Sequence, residues 1–283
     1  MGRIILSTLA GLVLLAGLAI AYGILHWNGT TRGLVARLDQ ARMLHQPAAY
    51  DERELEGLPP PVQRYFRAVL RPGQPMIAAA RVTHEGTFNM SDGAPRWAPF
   101  TSSQRVVTRR PGFVWDARIA MIPGVRVRVH DAYVAGEGIL HATLFGLVSL
   151  ANLRGTRELA EGELMRFMAE APWYPTALLP SQGVQWQGVD DSSADATLDD
   201  DGVRLTLRFR FGADGLVESA AAAARGRTVK GSVVPTPWQG RSFGYELRSG
   251  MLVPLEGEVA WLTPGGPQPY WRGRIASLEY EFR

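Results

Sequence analysis

Residues 203–211 alternate without a break. Val203, Leu205, Leu207, Phe209 and Phe211 fall on one side, and Arg204, Thr206, Arg208 and Arg210 on the other. Successive side chains of an extended strand point to opposite faces, so this period of two sets an apolar face against a wet one. The pattern recurs along the chain. Val125, Val127 and Val129 oppose Arg126, Arg128 and His130. Phe113, Trp115, Ala117, Ile119 and Met121 oppose Val114, Asp116 and Arg118. Val253, Leu255, Val259 and Trp261 face away from Glu256 and Glu258, and a last strand is predicted from Tyr270 to Phe282. Pro111-Gly112, Pro123-Gly124 and Gly136-Glu137-Gly138 punctuate these runs as turns. Short alternating strands joined by tight turns specify an antiparallel meander with one buried face. The expected fold is mainly β with minor α. It is a curved antiparallel sheet or half-barrel of about ten strands, occupying residues 76–283.

One stretch breaks the period. Leu159, Ala160, Leu164, Phe167 and Met168 share a helical face, while Glu163, Arg166 and Glu170 share another. The charged three are spaced for i,i+3 and i,i+4 pairs, and such a face is expected to be solvated. The helix is predicted over 157–171, ended by Pro172, whose ring and missing N–H cannot continue the ladder. Pro175 holds Tyr174 extended. Trp173 and Tyr174 therefore stand at a rigid elbow, where they cap the core or line a pocket. This helical insertion is expected to pack against the concave side of the sheet.

From Ile4 to Leu25 run 22 residues without a charge. About 20 apolar residues span a bilayer core. Residues 1–27 are therefore read as a transmembrane helix that anchors the chain by a single pass. The competing reading is a cleaved signal peptide, since Ala19-Ile20-Ala21 follows an apolar stretch. Against cleavage, the run stays apolar through Ile24 and Leu25. A helical stalk and docking helix are expected over 28–75. Leu34, Val35, Leu38 and Ala41 give a short amphipathic helix, and Val62, Tyr65, Phe66, Val69 and Leu70 follow the prolines at 59–61 at helical spacing. The bulk of the chain is placed on the periplasmic side of a bacterial cytoplasmic membrane.

Cysteine is absent, which excludes a disulfide, a thiol nucleophile and a thiolate metal site. The net charge is +3, too small to argue for nucleic acid, and Lys230 is the single lysine. His26, His45, His84, His130 and His141 form no H-x-x-x-H pair, so no metal is expected. Asp199-Asp200-Asp201-Gly202 reads as a hairpin turn, lacking the alternate spacing and distal Glu of a calcium loop. Gly240-Arg-Ser-Phe-Gly244 matches G-x-S-x-G. That motif needs a helix after the serine, and here a strand is expected, so Ser242 is not assigned as a nucleophile. Asp131 shares parity with Val125, Val127 and Val129. Either the strand continues and aims it into the apolar side, where it needs a partner, or the strand ends at His130. The arginine faces, Arg126 with Arg128 and Arg204 with Arg208 and Arg210, suit solvated strands or anionic headgroups.

Several segments carry a family resemblance: LPPPVQRYF at 58–66, PGFVWDA at 111–117, RFMAEAPWYPTALLPS at 166–181, PWQG at 237–240 and EVAW at 258–261. With them the chain resembles an uncharacterised bacterial family of membrane-anchored proteins, which brings no known activity. In architecture alone, strands around a mid-chain helix, it is similar to the half-barrel lipoprotein-localisation and lipid carriers of the periplasm.

Eight tryptophans on a sheet and no catalytic constellation point to a binding module for an apolar or lipid-like ligand, with no cofactor. The candidate contacts are Trp115, Arg166, Glu170, Trp173, Tyr174, Trp186, Trp238 and Trp261. The alternatives are an enzyme working through buried carboxylates, for which Asp116 and Asp131 are the candidates, and a structural partner in an envelope complex.

Overall fold

The computed structural model describes residues 2–44, 46–91, 93–229 and 231–282; His45 and Lys230 lie outside the described residues. Thirteen strands form one antiparallel sheet. The first six are β1 (Ile77–Asn89), β2 (Trp97–Val107), β3 (Gly112–Ile122), β4 (Val125–Val134), β5 (Glu137–Leu144) and β6 (Val148–Arg154). The remaining seven are β7 (Gln185–Asp190), β8 (Ser193–Asp200), β9 (Val203–Phe211), β10 (Val217–Val229), β11 (Ser232–Arg248), β12 (Met251–Thr263) and β13 (Gly266–Phe282). Each half is a meander, and the two halves join where β1 pairs with β13. The sheet edges are consequently β6 and β7, which are consecutive in the chain. Right-handed strand twist makes so many strands curl rather than lie flat.

The link between the edges runs through the concave side. The chain leaves β6, forms helix α3 (Arg157–Glu170), passes three 3₁₀ turns between Ala171 and Gln182, and re-enters as β7. Thr156 caps α3 by accepting from the Leu159 N–H at 3.2 Å. Helix α2 (Pro60–Val69) opens on prolines and buries Val62, Tyr65, Phe66 and Val69 in the main core. The faultless alternation of β9 appears directly in its burial, with every odd residue from Val203 to Phe211 buried and every even one exposed. The strand count exceeds the expected ten because β6 and β7 are too short and too mixed to show a period.

Helix α1 (Gly2–Gln40) is one continuous helix. The short helix expected near Leu34 is its last three turns, and it does not stand off as a stalk. Leu34 and Leu38 lie on the outer face of the sheet against Ala79, Val107, Val114, Ala132, Val134 and Ile139. Its N-terminal part makes no such contact and is exposed. By length and composition this segment is a candidate membrane anchor or signal sequence.

Candidate functional site

Helix α3 lies across the curved sheet like a floor. Below it, Ala160, Leu164, Phe167, Met168 and Ala171 join the main core. Above it, Gly162, Met165, Arg166, Ala169 and Glu170 face a cavity of about 1400 Å³. The face expected to be solvated is therefore turned inward: Glu163 is buried, and the Arg166 and Glu170 side chains are 14% and 15% exposed. Six of the eight tryptophans line the cavity: Trp97, Trp115, Trp173, Trp238, Trp261 and Trp271. Phe88, Met90, Leu140, Val233 and Tyr270 complete much of its apolar wall.

The polar floor is organised by Arg166. Its guanidinium pairs with Asp131 and, at 2.7 Å, with Glu170. It also donates to Gln104 Oε1 at 3.1 Å, and Gln104 in turn donates to Glu170 Oε2 at 2.7 Å. The same guanidinium sits 4.8 Å from both the Phe113 and Trp115 ring centroids, neighbours on one face of β3, within cation–π range of each. Burial works against the Arg166 charge, yet Glu170, Asp131 and Glu163 together raise its pKa. Beside it, Arg225 approaches Glu163 at 3.6 Å and lies 4.9 Å over Trp238, whose Nε1 donates to the Tyr270 hydroxyl at 2.9 Å. Burial, then the Asp131 carboxylate, push the Glu163 pKa well above the usual carboxylate range. Two arginines and three carboxylates thus share the floor, Arg166 held between Asp131 and Glu170 and Arg225 beside Glu163. Glu163 Oε2 is buried and makes no hydrogen bond among the described residues.

Strand β4 continues through Val134, so Asp131 does point inward, onto Arg166. Asp116 does not meet it. Register pairs Trp115 with Asp131 and Asp116 with His130, which puts the two aspartates on opposite faces of the sheet. On the outer face Asp116 accepts from Trp27 Nε1 of α1 at 2.9 Å. Trp27 stacks on His130 with centroids 3.8 Å apart, and His130 Nε2 lies 2.7 Å from the Thr31 hydroxyl. Burial, His141 and Arg128 hold the His130 pKa down to about 3. Asp116 thus fastens α1 to the sheet, and the two carboxylates form no common cleft.

Of the other candidate contacts, Trp115, Arg166, Glu170, Trp173, Trp238 and Trp261 all line the cavity. Tyr174 is fully buried below α3, where its hydroxyl donates to the Phe167 carbonyl at 2.8 Å. Trp186 packs against Phe209 and Phe66 under α2 and donates to the Leu178 carbonyl at 3.0 Å. Trp97, Tyr270, Trp271, Glu163 and Arg225 were missed as contacts. Val259 and Trp261 line the cavity together, as their alternation expects, while the register shift opposite Val259 and Ala260 leaves Tyr270 as an extra residue on β13, and Tyr270 and Trp271 both reach the cavity.

Ser242 lies in mid-β11, and the strand runs on to Arg248, so the G-x-S-x-G match has no helix and no elbow. Asp201 and Gly202 carry φ of 55° and 79°, the two left-handed positions of a two-residue hairpin turn. Among the described residues no group of three His, Asp or Glu converges on a metal position.

No curated protein matches the chain. Among solved structures it is similar to a LolA superfamily protein from Nitrosomonas europaea. The identity is 10%, over 79% of this chain and 93% of that one, with a TM-score of 0.34. A β-barrel-like protein of a domain of unknown function, DUF1849, from Brucella abortus is also similar. There the identity is 10%, over 73% and 99%, with a TM-score of 0.20. Residues 56–280, which hold α2, α3 and the sheet up to Tyr280 in β13, match the family of unknown function DUF6920, and the chain belongs to that family.

Proposed function

We propose that this domain is a membrane-tethered binding module that holds a lipid-like amphiphile, with its apolar portion in the cavity above α3. The observation that carries this is the cavity itself: about 1400 Å³ walled by six tryptophans. Drug-sized sites occupy about 300–1,000 Å³, so this cavity suits a larger, chain-bearing molecule. Each carboxylate of the floor already has an arginine beside it, so none is left unpaired to demand a charged ligand there. The polar end of the amphiphile then remains at the mouth. In this reading the segment Ile4–Leu25 anchors the chain in the cytoplasmic membrane and the sheet domain lies on the periplasmic side.

Native mass spectrometry of detergent-extracted full-length protein tests the proposal. The expected spectrum shows one lipid-like adduct that survives activation. Ala169→Phe pushes a ring from α3 into the cavity without touching the anchor, and it should remove the adduct while leaving the melting temperature close to wild type. An apo spectrum from wild type, or an adduct equally present in Ala169→Phe, overturns the cavity as its site.

A further inference from the structure

The two arginine faces of the sheet differ in their counterions. On β9, Arg208 pairs with Asp195 at 2.9 Å, Arg210 approaches Glu218 at 3.6 Å, and Arg204 stands opposite Asp199 in the register. That face is a solvated strand with its own acids. Arg118 of β3 and Arg126 and Arg128 of β4 have no such neighbours. The chain holds no carboxylate between Asp116 and Asp131, nor between Glu137 and Glu158. Asp116 is the acid whose charge reaches Arg128, but it accepts from Trp27 and lies 3.9 Å from His130. Among the described residues none of these three arginines forms an ion pair.

Register concentrates the charge further. Arg118 lies directly opposite Arg128, and Arg128 directly opposite Thr143. All three share the outer face with Asp116, His130 and His141, two residues away along each strand. Like charges directly across a strand pair repel. Burial, then the facing Arg118, lower the Arg128 pKa. Arg128 Nη1 and the Thr143 hydroxyl are buried and make no hydrogen bond among the described residues, while Arg118 stands exposed. The rung therefore has one sheltered and one open cation and no anion between them.

Helix α1 brackets this rung. Trp27 stacks on His130 and stands 5.4 Å from the His141 ring. About one turn earlier in α1, a Cβ on Gly23 would lie 2.5 Å from the carbonyl oxygen of Phe145, just past Thr143, so the two backbones touch there. The rung thus lies at the level of Gly23–Trp27, where the uncharged run Ile4–Leu25 ends. That run spans about 33 Å as helix, against a hydrocarbon core of about 30 Å with about 5–7 Å of headgroups on each side. With the run in the bilayer, the rung is level with the headgroups. We propose that Arg118 and Arg128 clasp the phosphate of an anionic phospholipid beside α1, at a site on the outer face separate from the cavity. Guanidinium forks match phosphate oxygens, and Arg126 adds to the positive field. The occupant is a leaflet lipid because the rung adjoins the segment that enters the leaflet. This rests on the anchor reading and is independent of the cavity ligand.

Full-length protein in mild detergent would be titrated with phosphatidylglycerol and followed by native mass spectrometry, in the Ala169→Phe background so that the filled cavity adds no adduct. One phosphatidylglycerol should bind more tightly than phosphatidylcholine. Arg118→Gln, at an exposed position, should weaken it about fivefold, and Arg118→Gln with Arg128→Gln by about tenfold or more. Arg118→Gln should melt close to its parent, so its loss of lipid is not unfolding. Arg204→Gln with Arg208→Gln removes the same charge elsewhere and should leave binding unchanged. Equal binding of phosphatidylcholine overturns the proposal, as does unchanged binding in the Arg118 and Arg128 variants or an equal loss in the control. Displacement by equimolar inorganic phosphate also overturns it, since the site would then take a free anion. The same spectra give the intact mass. A chain beginning at Tyr22 refutes the anchor reading and with it the leaflet source, whereas a full-length chain without the selective adduct refutes this inference alone.

Discussion

Removing the Arg166 guanidinium would leave Asp131 and Glu170 side by side under the cavity with no cation between them. Breaking a buried ion pair from one side typically destabilises by about 3–5 kcal/mol. Arg166→Met should therefore lower the denaturant midpoint strongly, whereas Arg208→Ala, which removes an exposed pair with Asp195, should change it by about 0–1 kcal/mol. Equal midpoints would show that the floor is hydrated. Glu163 gives the pH counterpart. Its folded pKa lies above the unfolded value, so the native state holds a proton that the unfolded chain releases. That contribution is complete below the unfolded pKa of about 4.3 and is lost as pH rises toward the folded pKa. Between pH 5 and 8, wild type should lose stability relative to Glu163→Gln, read as a narrowing gap between denaturant midpoints at low pH. A pH-independent gap would mean that Glu163 is ionised. Helical spacing separated these charged residues correctly from Leu164 and Phe167, but periodicity marks faces and does not say what each face meets. The available signal was the parity of Asp131, which left a buried carboxylate without a partner on its own strand.

Among elements, the strands were the most legible and the joints the least. β9 and the first part of β4 follow their alternation residue for residue. The helix from Arg157 and its stop before Pro172 also stand where helical spacing and the proline put them. What spacing could not show is how the elements close on one another. At Gly138 on β5, an added Cβ would sit 2.6 Å from the Ala160 nitrogen, so the start of α3 is seated directly on strand backbone. Sequence records that contact only as a turn glycine. The elbow was open to two readings, and the structure divides them between two neighbours. Trp173 lines the cavity and stands 5.0 Å from the His84 ring, while Tyr174 turns down into the core. Trp115 and Trp238 come from strands far apart in sequence, and they line one cavity only because the sheet curls. The cavity is thus a property of closure, which no local pattern encodes.

On the scale of the whole molecule, the apolar segment and the sheet are one body. Trp27 to Asp116, Thr31 to His130, and the Leu34–Leu38 stripe fix α1 along the outer face. A flexible tether would let the sheet sample any orientation, but a helix continuous from Gly2 to Gln40 holds the apolar segment at a fixed angle to the sheet. That reasoning requires the apolar segment to remain attached. Full-length protein should stay in the membrane fraction through high-salt and alkaline washing, because a spanning helix is held by burial of about 20 apolar residues rather than by charge. Cleavage after Ala21 would give a different result. It would leave Tyr22–Gln40 still clasped to the sheet, since Gly23, Trp27, Thr31, Leu34 and Leu38 all follow the cleavage point, and the domain would be released folded with an N-terminus at Tyr22. N-terminal sequencing of the washed pellet and the supernatant separates the two. A soluble form beginning at Tyr22 would sink the anchor, with the fold and the cavity floor intact.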